Sequence, residues 1–66
     1  MVDLSQLRKG QIIKMKNGEY HKVYDVKHYD NIYFVTTKDE FKTGFYNKDG
    51  TVWNEDNNPN VIVKII

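Results

Sequence analysis

The chain has 66 residues, of which 39% are hydrophobic and 29% charged, with a net charge of +1 and no cysteine. That length holds one small domain, residues 1-66, with no room for a second core, and that charge sets up no global field for DNA or anionic lipid. The missing thiols exclude disulfide staples and Cys-ligated zinc or iron–sulfur centres. No apolar run approaches the roughly 20 residues of a membrane span, and no basic-then-apolar leader follows Met1. The expectation is a soluble cytoplasmic module without a cofactor.

Residue types point to strands. The chain has no alanine and only two leucines, Leu4 and Leu7, against many valines, isoleucines, threonines and aromatics. Alanine and leucine favour helices, whereas β-branched and aromatic side chains suit a pleated surface. Abundant Asn and Asp supply turns, because their side chains bond nearby backbone and tolerate positive φ.

In chain order, the one helical signal comes first. Asp3 is placed to cap a short turn, with Gln6 returning a bond as in a capping box, Val2 and Leu7 forming a hydrophobic staple, and Gly10 as a stop. An extended arm that plugs Leu4 and Leu7 into the core fits the same residues. Residues 11–16 then read as a strand, Asn17-Gly18 as a two-residue hairpin turn, and residues 19–27 as the returning strand. That register pairs Lys16 with Glu19, Met15 with Tyr20 and Ile12 with Val23. It yields no clean apolar face, so a bulge or strong coiling is expected in the second strand.

His28-Tyr29-Asp30-Asn31 is the next turn, followed by a strand over residues 32–37. Lys38-Asp39 turns into a strand over residues 40–46, with Phe41, Thr43 and Phe45 sharing one face. Gly44 there marks a sharp bend or a close backbone approach. Asn47-Lys48-Asp49-Gly50 reads as a type I turn with Gly50 left-handed. A short strand over residues 51–54 carries Trp53, residues 55–59 form a polar loop, and residues 60–66 form a strongly apolar last strand. Five or six short strands predict an all-β fold, a small SH3-like antiparallel barrel or alternatively an OB-like one, with a short N-terminal helical turn. Short connections favour a meander whose last strand closes on an early one.

No constellation marks catalysis, and the expectation is a non-enzyme. Ser5, the only serine, sits at the chain start without a histidine nearby in sequence. His21 and His28 are at odd spacing and would face opposite ways on a regular strand, which argues against a shared metal. Asn47, Asp49, Gly50 and Asp56 partly match a calcium loop, but its first position would be Phe45, and a phenyl ring supplies no oxygen ligand.

Binding is the better expectation. Aromatic side chains anchor interfaces because they bury much area while freezing few torsions, and Tyr24, Tyr29, Tyr33, Tyr46 and Trp53 are the candidates for docking on a phage or host protein. The alternative is single-stranded nucleic acid, stacked on aromatics beside the basic stretch Arg8, Lys9, Lys14, Lys16, Lys22 and Lys27. In the tail, Val61, Val63 and Ile65 occupy one face and Ile62 and Ile66 the other. A strand apolar on both faces wants covering on both, either by the N-terminal segment or by a second copy in a homo-oligomer.

The spacing Leu7-x-x-Gly10-Gln11-Ile12-Ile13-x-x-x-Asn17-Gly18, then Phe45-Tyr46-x-x-Asp49-Gly50, then Asn60-Val61-Ile62-x-Lys64-Ile65 covers most of the chain. It resembles short uncharacterised β proteins encoded by bacteriophages and prophages. Asn60 departs from the aspartate, or histidine-aspartate, of that pattern. The resemblance implies a compact β module from a mobile element and carries no active site with it.

Overall fold

The computed structural model describes residues 2–38, 43–55 and 58–66. Five strands, β1 (Ile12–Met15), β2 (Tyr20–Tyr29), β3 (Ile32–Thr37), β4 (Gly44–Asn47) and β5 (Ile62–Ile65), form one antiparallel sheet in the order β4-β3-β2-β1-β5. The all-β reading, the meander and the return of the last strand to an early one all hold, the early strand being β1. The barrel does not close. β4 and β5 are the sheet's two ends, and the outer edge of β4 is taken by residues 51–53. Asn47 N–H donates to the Thr51 carbonyl at 2.7 Å and Trp53 N–H to the Phe45 carbonyl at 3.0 Å. This segment makes a bridge, Tyr46 to Val52, in place of the expected short strand. The sheet is nonetheless strongly curled. Its extents are 24 × 24 × 22 Å, against a layer spacing of about 10 Å for packed flat sheets.

The first hairpin differs from expectation by one residue. Observed pairs are Ile12 with Lys22, Ile13 with His21 and Lys14 with Tyr20. Gly18 takes φ +93°, and its N–H donates to the Met15 carbonyl at 2.9 Å, while Met15 N–H reaches Glu19 at 2.8 Å. Asn17 keeps negative φ, so Asn-Gly here builds a three-residue loop with a glycine bulge instead of a two-residue turn. Because side chains alternate with period two, that slip exchanges the faces. Ile13 and Met15 enter the core with Val23, and Ile12 and Lys14 face out.

Two bulges then set which side chains pack. On β2 the register against β3 shifts between Val23 and Asp25, leaving Tyr24 as the extra residue; this is the expected bulge. On β5 the register shifts so that Met15 faces Ile62 while Lys14 faces Lys64, leaving Val63 extra. Ile62 and Ile65, three apart, therefore both turn inward. Ile62 is fully buried and Ile65 packs against the core. Only Val63 and Ile66 of the tail's exposed apolar side chains stand clear at 43% and 56%. Val2 also packs on the core, so much of the apolar strand is covered without a second copy.

Gly44 shows no close approach, since a Cβ there would meet nothing within 4 Å. Of the residues expected to share a face, Phe45 is 46% exposed, which makes that face the outer one at Phe45. Phe41, the Lys38-Asp39 turn beyond Lys38, the strand before Thr43 and Asp56 lie outside the described residues.

The N-terminus combines both expectations. Leu4–Gln6 is a 3-10 turn, a geometry that brings residues i and i+3 to one side, so Leu4 and Leu7 both plug the core. Two helical turns would be marginal alone, and here Leu4 N–H is tethered to the Lys48 carbonyl at 2.9 Å. The Asp3 carboxylate accepts from Ser5 N–H at 2.9 Å and from the Ser5 hydroxyl at 2.6 Å. Ser5, not Gln6, thus supplies the second capping bond, and its hydroxyl has a structural partner.

Asp49 repeats the device at the other turn, accepting from the Thr51 hydroxyl at 2.6 Å and Thr51 N–H at 3.0 Å. Hydrogen bonds from the Ser5 and Thr51 side chains, then from their backbones, hold the Asp3 and Asp49 carboxyls below their ordinary value of 3.8. A carboxyl depressed in the folded chain stabilises fully above its unfolded pKa, and that contribution is lost as pH falls through the folded value. Unfolding free energy should therefore decline below about pH 4, and D3N and D49N should each flatten that decline. An unchanged acid limb in denaturant titrations of both variants would refute the assignment.

Candidate functional site

The core is already filled by Tyr33, Val35 and Tyr46 beside Ile13, Met15 and Val23, so aromatic rings on the opposite face have no structural void to fill. Past the bulge at Tyr24, Val26 packs inward, which turns Asp25, Lys27 and Tyr29 outward. Cross-strand pairing then lays out rows across the outer face. Tyr29 pairs with Ile32 and Ile32 with Asn47; Lys27 pairs with Phe34 and Phe34 with Phe45. Trp53, bonded through its N–H to the Phe45 carbonyl, extends the second row.

The rings in that row touch. Phe34 and Phe45 have centroids 4.8 Å apart at 45°, and Phe45 and Trp53 are 6.3 Å apart, edge to face at 64°. These are the separations at which aromatic pairs attract beyond their burial. Phe45 and Trp53 remain 46% and 45% exposed, with Tyr29 at 53%. A hollow runs beside Trp53, bordered by Phe45, Asn54, Glu55, Asn58 and Asn60. Asn58 is itself held in place, donating to Glu55 Oε2 at 3.3 Å and accepting from Asn60 N–H at 2.8 Å. An apolar strip bordered by fixed amides fits a partner presenting apolar side chains on a polar backbone.

Of the five aromatic candidates, the structure brings Tyr29 and Trp53 to this face. Tyr24 is exposed at the bulge. Tyr33 and Tyr46 are corrections: at 5% and 2% exposure they are core and cannot anchor a partner. Tyr33 lies flat against His28, centroids 4.3 Å apart at 6°. Burial pushes the Tyr46 phenol up to about 12, so it stays protonated at neutral pH. Phe34 and Phe45 were missed. The turn chemistry at residues 47–50 carried a signal for Phe45: a type I turn with left-handed Gly50 sets Tyr46 against Val52, which puts Phe45 and Trp53 together on the other side.

The basic stretch does not form one patch. Lys14 and Lys22 share the outer face of β1 and β2. Lys16 sits at the hairpin turn, and Lys27 lies beyond the bulge beside Phe34. Arg8 braces the N-terminal turn, its Nη1 donating to the Ser5 and Leu7 carbonyls at 2.9 and 3.1 Å, with exposed Lys9 next to it.

The histidines also change faces. The bulge between them restores parity, so His21, opposite buried Ile13, and His28, opposite buried Tyr33, both lie on the inward side. His21 Nε2 donates to Glu19 at 3.2 Å, and His28 Nε2 donates to the Asp30 carbonyl. Among the described residues, no group of three or more His, Asp or Glu side chains is gathered as a metal site would need. Nor is any helix among them long and apolar enough to cross a membrane.

No protein-family model, curated protein or solved structure matches this chain.

Proposed function

We propose that this chain is a non-enzymatic binding module of phage or prophage type, which docks on a protein partner through Tyr29, Phe34, Phe45 and Trp53. The observation that carries the reading is the contiguous Phe34–Phe45–Trp53 row on the side of the sheet that the core does not use, with Phe45 and Trp53 nearly half exposed and Phe34 partly buried beneath them. Rings held by neighbouring rings have little freedom to lose on binding, which is the property of an interface anchor. The finer fold that goes with this reading is an SH3-like small barrel left open between β4 and β5. Its support is the long bulged β2 shared by both halves of the sheet and the pairing of the last strand with the first.

The test compares wild type with F45S and W53A as immobilised baits in native host lysate, before and after phage infection. A protein retained by wild type should drop about 30-fold or more with either variant, the effect of losing an interface hot spot. Their melting temperatures should stay within a few degrees of wild type, because both side chains are half-exposed. Trp53 is the only tryptophan, so its emission should shift to the blue as the purified partner covers it. Equal retention by both variants, or no shift on binding, would remove the aromatic row as the docking surface.

A further inference from the structure

On the other half of the sheet, the outer face of β1, β5 and the start of β2 carries a different chemistry. Lys14 on β1 stands opposite Lys64 on β5 on one side and opposite Tyr20 on β2 on the other. Its Nζ lies 5.8 Å from the centre of the Tyr20 ring. One pleat along, Lys22 pairs with Ile12, and Ile66 N–H donates to the Ile12 carbonyl at 2.8 Å. Tyr20 is 58% exposed, and Lys22 and Lys64 are exposed. Among the described residues, the ion pair is His21 with Glu19, on the opposite side of β2, and none of the three ammonium groups is paired with a carboxylate.

Two like charges directly opposite each other on neighbouring strands destabilise a sheet. Here Lys14 faces Lys64 on one side and an exposed ring, Tyr20, on the other, with Lys22 one pleat along. An anion lying across the face would relieve that repulsion. We propose that this face binds single-stranded nucleic acid, with Lys14, Lys22 and Lys64 on phosphates and a base stacked on Tyr20. An unpaired base is needed, because a ring standing on a sheet face stacks on a base only when that base is free of its duplex. Of the basic residues read from sequence, this uses Lys14 and Lys22, and it adds Lys64 from the far end of the chain. It is independent of the aromatic row past the bulge.

The experiment is fluorescence anisotropy with labelled oligo(dT) and oligo(rU) of about 12 nucleotides, titrated between about 25 and 200 mM salt. Wild type should bind with log affinity falling against log salt at a slope of about −2, the release expected for three phosphates on a single strand. K64E should lower affinity tenfold or more and make the slope shallower by about 0.7 or more. The same variant should melt a few degrees higher, because Lys14 then faces a carboxylate. That opposite response separates loss of binding from loss of fold. Y20S should weaken binding about fivefold or more with the slope unchanged, and W53A should leave it as wild type.

Absence of binding at the lowest salt would overturn the proposal, as would binding that K64E leaves intact. Phosphatidylserine vesicles bound in place of the oligonucleotides would assign the face to a membrane surface. Polyglutamate bound as tightly as oligo(dT), with no effect of Y20S, would reduce it to a general anion patch. Either result also overturns the proposal.

Discussion

Replacing Gly50 by alanine is expected to destabilise the chain by about 4 kcal/mol or more, a large part of the stability of a domain this size. Gly50 sits at φ +91°, where an L side chain costs about 1–2 kcal/mol. A Cβ there would also press into the Ile62 carbonyl oxygen, with Val2 Cγ1 at 2.7 Å. The obstacle is backbone, so rotating a side chain gives no relief. Ile62 N–H donates to the Gly50 carbonyl at 2.9 Å, and β5 would have to move away, taking Ile62 out of the core. A domain of this length has a total stability of about 3–10 kcal/mol, and strain plus a displaced core strand together consume about 4 or more.

Thermal and urea melts followed by circular dichroism test this, with two glycine controls. G44A should be neutral or stabilise by up to about 1 kcal/mol, because Gly44 has open space around its Cα and an ordinary φ. G18A should show the strain alone, about 1 kcal/mol, because its surroundings are equally open. A wild-type melt for G50A would mean that β5 does not lie against the turn over residues 47–50.

Two adjacent isoleucines should respond very differently to truncation. Ile13 is fully buried between β2 and β5, whereas Ile12 is 41% exposed on the outer face. I13A removes a core side chain and leaves a cavity, at a cost of about 2–5 kcal/mol, which for a domain this small lowers the melting temperature by about 10–30 °C. I12A should cost less than about 1 kcal/mol. The contrast tests the register directly. Were the hairpin joined by a two-residue turn, β1 would sit one residue along, and Ile12 would face Val23. I12A would then be the costly change, so equal effects or a reversed order would reject the observed pairing.

Much of the architecture was legible because turn residues and β-branched runs act locally. Asp3 caps a turn through its own carboxylate, Gly50 takes the left-handed position after Asn47, and residues 32–37 form β3 with the bounds read from the sequence. The candidate surface was legible only in part. Tyr29 and Trp53 lie on it, but Tyr33 and Tyr46 went to the core, Phe45 to solvent and Phe34 half-buried to the outer face. Residues 32–35, Ile-Tyr-Phe-Val, are apolar at every position, so alternation could not say which parity faced inward. A tyrosine with its hydroxyl satisfied packs inside as readily as a phenylalanine.

Amino-acid types and their turns were enough to establish that this polypeptide is a meander of short strands, where β1, β2, β3 and β5 begin and end to within a few residues, and that its last strand returns to an early one. The assignment of side chains to core or solvent came from long-range pairing. An added glycine bulge at Gly18 and single extra residues at Tyr24 and Val63 each reverse parity for everything beyond them. Whether a strand absorbs such a residue depends on what its neighbours need to bury, and those neighbours lie as far away along the chain as Ile65 is from Ile13.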